Sequence, residues 1–122
     1  MSTDEAGFDR SLRLLTPALF KQVFKQSKRC SDRCFTVLYR PNGLSNPRLG
    51  MAIAKKNLKR AVDRNLVKRL VREVFRHSRP ALPGVDLVVL CKRNLPLKDR
   101  AVLRDSLHRL MAEVAAARKE SV

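Results

Sequence analysis

Lys55-Lys-Asn-Leu-Lys-Arg60-Ala-Val-Asp-Arg-Asn65-Leu-Val-Lys-Arg-Leu70-Val-Arg-Glu-Val-Phe75-Arg-His-Ser-Arg79 carries two patterns at once. Ten of the chain's 27 Lys and Arg residues lie in it, against two acids, Asp63 and Glu73. Val62, Leu66, Leu70 and Val74 recur every four residues, and Val67, Val71 and Phe75 form a second row. At about 100° per residue, Leu66, Leu70, Val74, Val67, Val71 and Phe75 sweep out half a helical cylinder, with Leu66 read at the centre of the apolar arc. Arg64, Asn65, Lys68, Arg69, Arg72 and Arg76 sweep out most of the other half. The spacing predicts a helix over about 61–77 that buries one face and presents cations on the other. A solvated helix face normally mixes both signs. This one hardly does, so it is built to meet a polyanion.

Outward from the basic helix, the chain alternates between the two periodicities. Upstream, residues 48–56 read as a strand. Leu49, Met51 and Ile53 form its bulky face, and Gly50, Ala52 and Ala54 form a smooth one. The smooth face suits a closely packed helix or a groove for a chain-like ligand. Before it, residues 34–40 alternate, with Phe35, Val37 and Tyr39 on one face and Thr36, Leu38 and Arg40 on the other. Pro41-Asn-Gly43 ends that strand in a turn. Thr16-Pro17 reads as an N-cap followed by proline in the first helical turn, opening a helix over about 17–27. Its stripe is Leu19, Phe20, Val23 and Phe24, beside Lys21, Lys25 and Lys28. Phe20 and Phe24 fit core packing or an aromatic surface for stacking bases, with lysines near for phosphates.

Downstream, Pro80 and Pro83-Gly84 stop the basic helix. Residues 85–91, Val-Asp-Leu-Val-Val-Leu-Cys, read as a strand buried on both faces. Asp99 caps a final helix whose core stripe is Leu103, Leu107, Leu110, Met111 and Val114. Asp86 reads as a surface acid at a strand end. The order is helix, two or three strands, basic helix, strand, helix. That predicts one α+β domain over residues 1–122, an α/β sandwich with a mixed sheet, and loose ends at 1–12 and 116–122. The strand–helix–strand unit pairs parallel, and general statistics make its crossover right-handed.

Composition narrows the function. At 122 residues and 44% hydrophobic, the chain has enough apolar mass for one core. Its formal charge of +16 attracts polyanions strongly. Nucleic acid is the favoured partner and an anionic membrane surface the weaker one. No apolar run approaches the roughly 20 residues of a spanning helix. The acid-bearing N-terminus lacks a signal-peptide core, which points to the cytoplasm. Three cysteines, Cys30, Cys34 and Cys91, argue against a disulfide framework and read as free thiols. Neither they nor the isolated His77 and His108 show metal-ligand spacing. No glycine-rich phosphate loop, nucleophile signature or carboxylate pair beside a histidine is present. The pattern favours a binder over a protein catalyst. A strand precedes the basic helix where a DNA-binding helix-turn-helix needs another helix, so structured RNA fits better than DNA. Asn65, inside the cation array, suits a polar contact to RNA or an indifferent exposed position.

Arg48-Leu-Gly-Met-Ala-Ile-Ala-Lys-Lys56, Ala61-Val-Asp-Arg-Asn65 and Lys68-Arg-Leu-Val-Arg-Glu73 resemble the bacterial ribonuclease P protein component. The resemblance runs from Arg13 through the last helix. Phe20-x3-Phe24 and the strand ending in Tyr39 fit it too. The resemblance implies the small basic subunit of a ribonucleoprotein endoribonuclease that removes the 5′ leader from precursor tRNA. Catalysis then belongs to the RNA subunit with magnesium bound mainly by that RNA, and no protein side chain is catalytic. One protein per RNA is implied. Arg60, Arg64, Asn65, Lys68, Arg69 and Arg72 would face the catalytic RNA. Phe20, Phe24 and Tyr39 would line a cleft for the single-stranded leader. The family also implies a left-handed crossover, which replaces the statistical expectation. Its usual Arg-Asn-Arg reads Arg64-Asn65-Leu66 here, so the helix gains apolar surface and loses one cation, for which Arg69 or Arg60 could substitute. The tail has no aromatic to add to the cleft. A ribosomal or other structural RNA protein is the alternative class. A protein-only nuclease would need a carboxylate cluster for metal.

Overall fold

Strands that alternate apolar and polar residues must satisfy their backbone groups with neighbours, and four strands do so in one sheet. The computed structural model describes residues 17–82 and 84–120, with side chains through 117. The elements are α1 (Pro17–Lys25), β1 (Lys28–Ser31), β2 (Phe35–Pro41), β3 (Arg48–Ala52), α2 (Ala61–Ser78), β4 (Val85–Cys91) and α3 (Arg100–Glu120). A single 3-10 turn, Arg79–Ala81, follows α2. Strand order is β1-β2-β4-β3. β1 and β4 pair antiparallel with β2. β3 pairs parallel with β4, and α2 makes the crossover between them. The fold is α+β, as the element order predicts.

Register assigns every strand residue to one of two faces. Phe35, Val37, Tyr39, Leu49, Leu87, Val89 and Cys91 form one core with α2 and α3. Val67, Leu70, Val71, Val74 and Phe75 enter it from α2. Leu103, Leu107, Leu110, Met111 and Val114 enter it from α3. On the other face Leu38 and Val88 pack beneath Val23 of α1, with Leu19, Phe20, Ala52 and Leu90 around them. β4 is therefore buried on both sides, which explains its unbroken apolar run. The smooth face of β3 serves α1, since Ala52 lies under that helix. Asp99 Oδ1 accepts the Val102 N–H at 3.3 Å and caps α3.

The structure corrects several expectations. Leu66 is half-buried at the edge of the core rather than at the centre of the apolar arc. Val62, the first member of the four-residue row, is 58% exposed because it stands before the part of α2 that meets the sheet. α1 stops at Lys25, and the Thr16 cap lies outside the described residues. β3 ends at Ala52 in a turn that starts α2. β1 was not placed by the sequence, for Lys28-Arg-Cys-Ser31 has no hydrophobic alternation. Pairing to β2 alone makes it a strand, and its charges blunt a sheet edge. α3 continues through Glu120, where Ala115 is buried and Ala117 packs on the core. Alanine is the best helix former, so the small residues extend the helix.

Asp86 is no surface acid. It is 3% exposed. Arg48 donates to it through Nε at 2.8 Å and a terminal nitrogen at 2.9 Å, and the Asn42 amide donates at 2.9 Å. Asn42 also donates to the Asn46 carbonyl at 3.0 Å and accepts the Leu44 N–H at 2.8 Å. One bidentate ion pair and one amide thus hold the β2–β3 loop. Gly84 leaves room for it, because a Cβ there would collide with the Leu44 carbonyl.

Candidate nucleic-acid interface

The outer face of α2 is fixed from within. Five buried apolar side chains clamp the helix, so its cations project from a rigid support. Arg60 is the exposed N-cap, in extended backbone, and its carbonyl accepts the Asp63 and Arg64 N–H groups at 3.1 Å each. Arg64 turns back along its own helix. One guanidinium nitrogen donates to the Leu58 and Lys59 carbonyls, both at 2.8 Å, which fastens the β3–α2 loop. Asn65 and Arg69 are exposed, while Lys68 and Arg72 are half-buried along the same face. Of the two acids on this helix, Asp63 lies in the first turn and Glu73 pairs with Arg104 of α3 at 3.3 Å. Arg60, Arg64, Asn65, Lys68, Arg69 and Arg72 thus lie on one helix or its cap.

The opposite face of the sheet is only partly covered, because α1 is nine residues long. Arg40 donates to the Gln22 carbonyl at 3.4 Å and ties α1 to β2. Phe20 is half-buried in the α1 cluster, and Phe24, one turn on, is 49% exposed. Beside Phe24 opens a groove of about 410 Å³, lined also by Ser27, Arg29, Thr36, Leu38 and Leu90. Its floor is apolar strand surface and its edge carries a cation, the make-up of a single-strand groove.

Tyr39 does not join these rings. It is 7% exposed and belongs to the core on the α2–α3 face, opposite Lys28 in β1 and Leu87 in β4. Burial raises its phenol pKa, with Cys30 and Glu113 adding to the effect. The β2 residues lining the groove beside Phe24 are Thr36 and Leu38. The period-2 pattern puts them on one face, whereas Tyr39 enters the cleft set only through what the family resemblance implies. Arg29 was missed because its strand has no pattern of its own.

A second polar network pins the β1–β2 turn to α3. Asp32 Oδ1 accepts the Cys34 and Phe35 N–H groups at 2.9 and 3.0 Å. Its other oxygen accepts the buried Ser106 hydroxyl and an Arg109 N–H at 3.1 Å. Burial pushes the carboxyl pKa up, but the bonds from Ser106, the two amides and Arg109 together hold it below the ordinary value. The three cysteines are free thiols. Burial raises the Cys30 thiol to about 11, with Glu113 and Asp32 adding, and burial also raises Cys91. Such thiols are poor nucleophiles at neutral pH.

Comparison with known proteins finds relatives of this chain and of its fold. The family model described as Ribonuclease P matches residues 8–115. A ribonuclease P protein component of Thioalkalivibrio sulfidiphilus is 47% identical over 115 residues, covering 94% of this chain and 95% of the relative. One from Pasteurella multocida is 48% identical over 104 residues, covering 85% and 87%. The solved structure of the RNase P protein from Thermotoga maritima superposes with a TM-score of 0.73 at 34% identity, covering 83% of this chain and 96% of that one.

Proposed function

This chain belongs to the ribonuclease P protein family, and from that premise we propose that it binds the catalytic RNA through α2 and the 5′ leader of precursor tRNA through the α1 groove. The division of α2 into a buried apolar face and a cationic outer face carries the reading. Phosphates meeting Arg60, Lys68, Arg69 and Arg72 release counterions from the RNA, which supplies affinity and makes it steeply salt-dependent. Arg64 contributes twice, holding the loop below the helix and leaving its other nitrogens for RNA. Asn65 offers a neutral amide between the cations. In the groove, Phe24 stacks on an unpaired base and Phe20 supports it from the α1 cluster. Thr36, Leu38 and Leu90 form the floor, and Arg29 meets the backbone. Tyr39, buried on the far side, acts there only by supporting β2.

The chemistry of leader removal then falls to the RNA, and the protein positions it. Magnesium enters through that RNA. The described residues gather no group of three or more His, Cys, Asp and Glu side chains. The outer face of α2 is cationic, which repels a divalent ion unless phosphates stand between. Magnesium is then held mainly by RNA oxygens, with phosphates between the ion and the cations of α2. Among the described residues no helix is long and apolar enough to cross a membrane.

The test is stimulation. Adding the purified chain to a catalytic ribonuclease P RNA at low magnesium should accelerate removal of the leader from precursor tRNA. Equal rates with and without the chain would overturn the reading in favour of a structural RNA protein of another kind.

A further inference from the structure

A second cavity lies outside both proposed surfaces. It occupies about 430 Å³ between the β1–β2 turn, the segment after β4 and the first turn of α3, and is lined by Arg33, Cys34, Arg93, Asn94, Pro96 and Val102. That volume falls in the range of small-ligand sites, roughly 300–1,000 Å³. Its lining is divided by chemistry. Buried Cys34, half-buried Val102 and the Pro96 ring are apolar, while Arg33, Arg93 and Asn94 are exposed polar groups. The Lys92 N–H donates to the Cys34 carbonyl at 2.9 Å, joining the two walls. Asn94 adopts a φ of 60°, which turns the segment sharply after β4.

The acids nearest in sequence are already engaged. Asp32 accepts its four bonds from Ser106, Arg109 and the two backbone amides. Asp99 caps α3. Among the described residues neither Arg33 nor Arg93 has an ion-pair partner. The cavity also adjoins the start of α2 through a line of bonds. Arg64 holds the Leu58 and Lys59 carbonyls, Asn57 donates to the Cys91 carbonyl at 2.9 Å, and Cys91 leads into Lys92 and Arg93. Lys55, Lys56, Lys59 and Lys92 lie on the segments that these bonds join.

We propose that this cavity receives one unpaired nucleotide of a bound RNA, with the base on Pro96 and Val102 and its phosphates on Arg33 and Arg93. The inference rests on the RNA-binding role above and adds a third contact to it. Two planar guanidiniums suit phosphate oxygens, which accept paired N–H groups. The Asn94 amide offers a donor and an acceptor to a base edge. A stacked, paired base hides its faces in the helix, so the occupant is unpaired. Either the catalytic RNA or the precursor tRNA could supply it.

Full-length Val102→Phe fills the floor without changing charge, and R33K/R93K keeps charge while removing the planar fork. Both are compared with R33A/R93A and wild type, with folding checked by thermal melting. Affinity is measured for the catalytic ribonuclease P RNA and, in the reconstituted holoenzyme, for precursor tRNA. Filling the space that the base takes removes its apolar contact with Pro96 and Val102, so Val102→Phe should weaken binding about fivefold or more. R33K/R93K should weaken it too, and R33A/R93A should also lower the salt slope by about 2. Loss confined to the catalytic RNA, or to precursor tRNA, supports the pocket and identifies the source. Unchanged binding of both RNAs by R33K/R93K and by folded Val102→Phe would overturn it, leaving the arginines as part of a general field. Failure of wild type to bind the catalytic RNA would overturn the proposed function, and the pocket with it.

Discussion

α2 and α1 sit on opposite faces of one sheet and solve different problems. α2 has 18 residues and buries five apolar side chains, so its outer cations are presented by a helix that does not yield. α1 has nine residues and fully buries one, Val23. A helix that short is marginal alone and depends on the sheet below it. The long helix is a preorganised template for folded RNA. The short helix is one wall of a groove, with aromatic surface left uncovered, and suits a flexible strand of variable sequence. Burial separates the two roles more sharply than residue type does, because each helix carries both lysine and phenylalanine.

The sharpest contrast is between two rings. Phe75→Ala should cost about 3–5 kcal/mol by urea unfolding, for Phe75 is fully buried on the core face of α2. Phe24→Ala should leave stability within about 0.5 kcal/mol, since half its surface is already in water. Similar losses from both would erase the distinction between anchored and open helix.

The next effect is on RNA. Arg64, Lys68 and Arg72 to Ala together should reduce affinity for the catalytic RNA about 100-fold and lower the salt slope by nearly 3, read by filter binding across salt concentrations. Binding and cleavage at low magnesium that match wild type would break the assignment of α2. A smaller effect belongs to the groove. Phe24→Ala should weaken precursor tRNA by about 1–3 kcal/mol and leave mature tRNA unchanged in the same holoenzyme. Equal loss for both would return the ring to a packing role.

The smallest effect concerns the α3 side alone. Asp32 is held below its ordinary pKa in the folded chain, so its contribution to stability is present above the usual carboxylate range. It is lost as pH falls through the folded value. The stability gap between wild type and Asp32→Asn should be full near neutrality and close in acid. Unfolding curves across pH measure it. A gap that stays constant in acid would show that the carboxylate's charge contributes nothing.

Periodicity made α2, β4, α3 and the two sheet faces legible, because a buried stripe must repeat at the period of its element. It also marked the cation array, since nearly unmixed charge on one face needs no neighbour to be recognised. Contacts between distant segments were not legible. Tyr39 looked like a partner for Phe20 and Phe24, yet the registers with β1 and β4 turn it to the other face. Asp86 looked like a surface acid until Arg48 and Asn42 folded over it. Leu66 sits at the rim of the core because the sheet, not the helix, sets where burial ends. Sequence alone determined a basic α+β chain whose second helix has one face for a core and one for a polyanion. Only the tertiary structure decided which residues share each face of the sheet, how far α1 covers it, and where grooves remain. Those depend on strand pairing between residues far apart in the chain, and a shift of one position reverses every side chain.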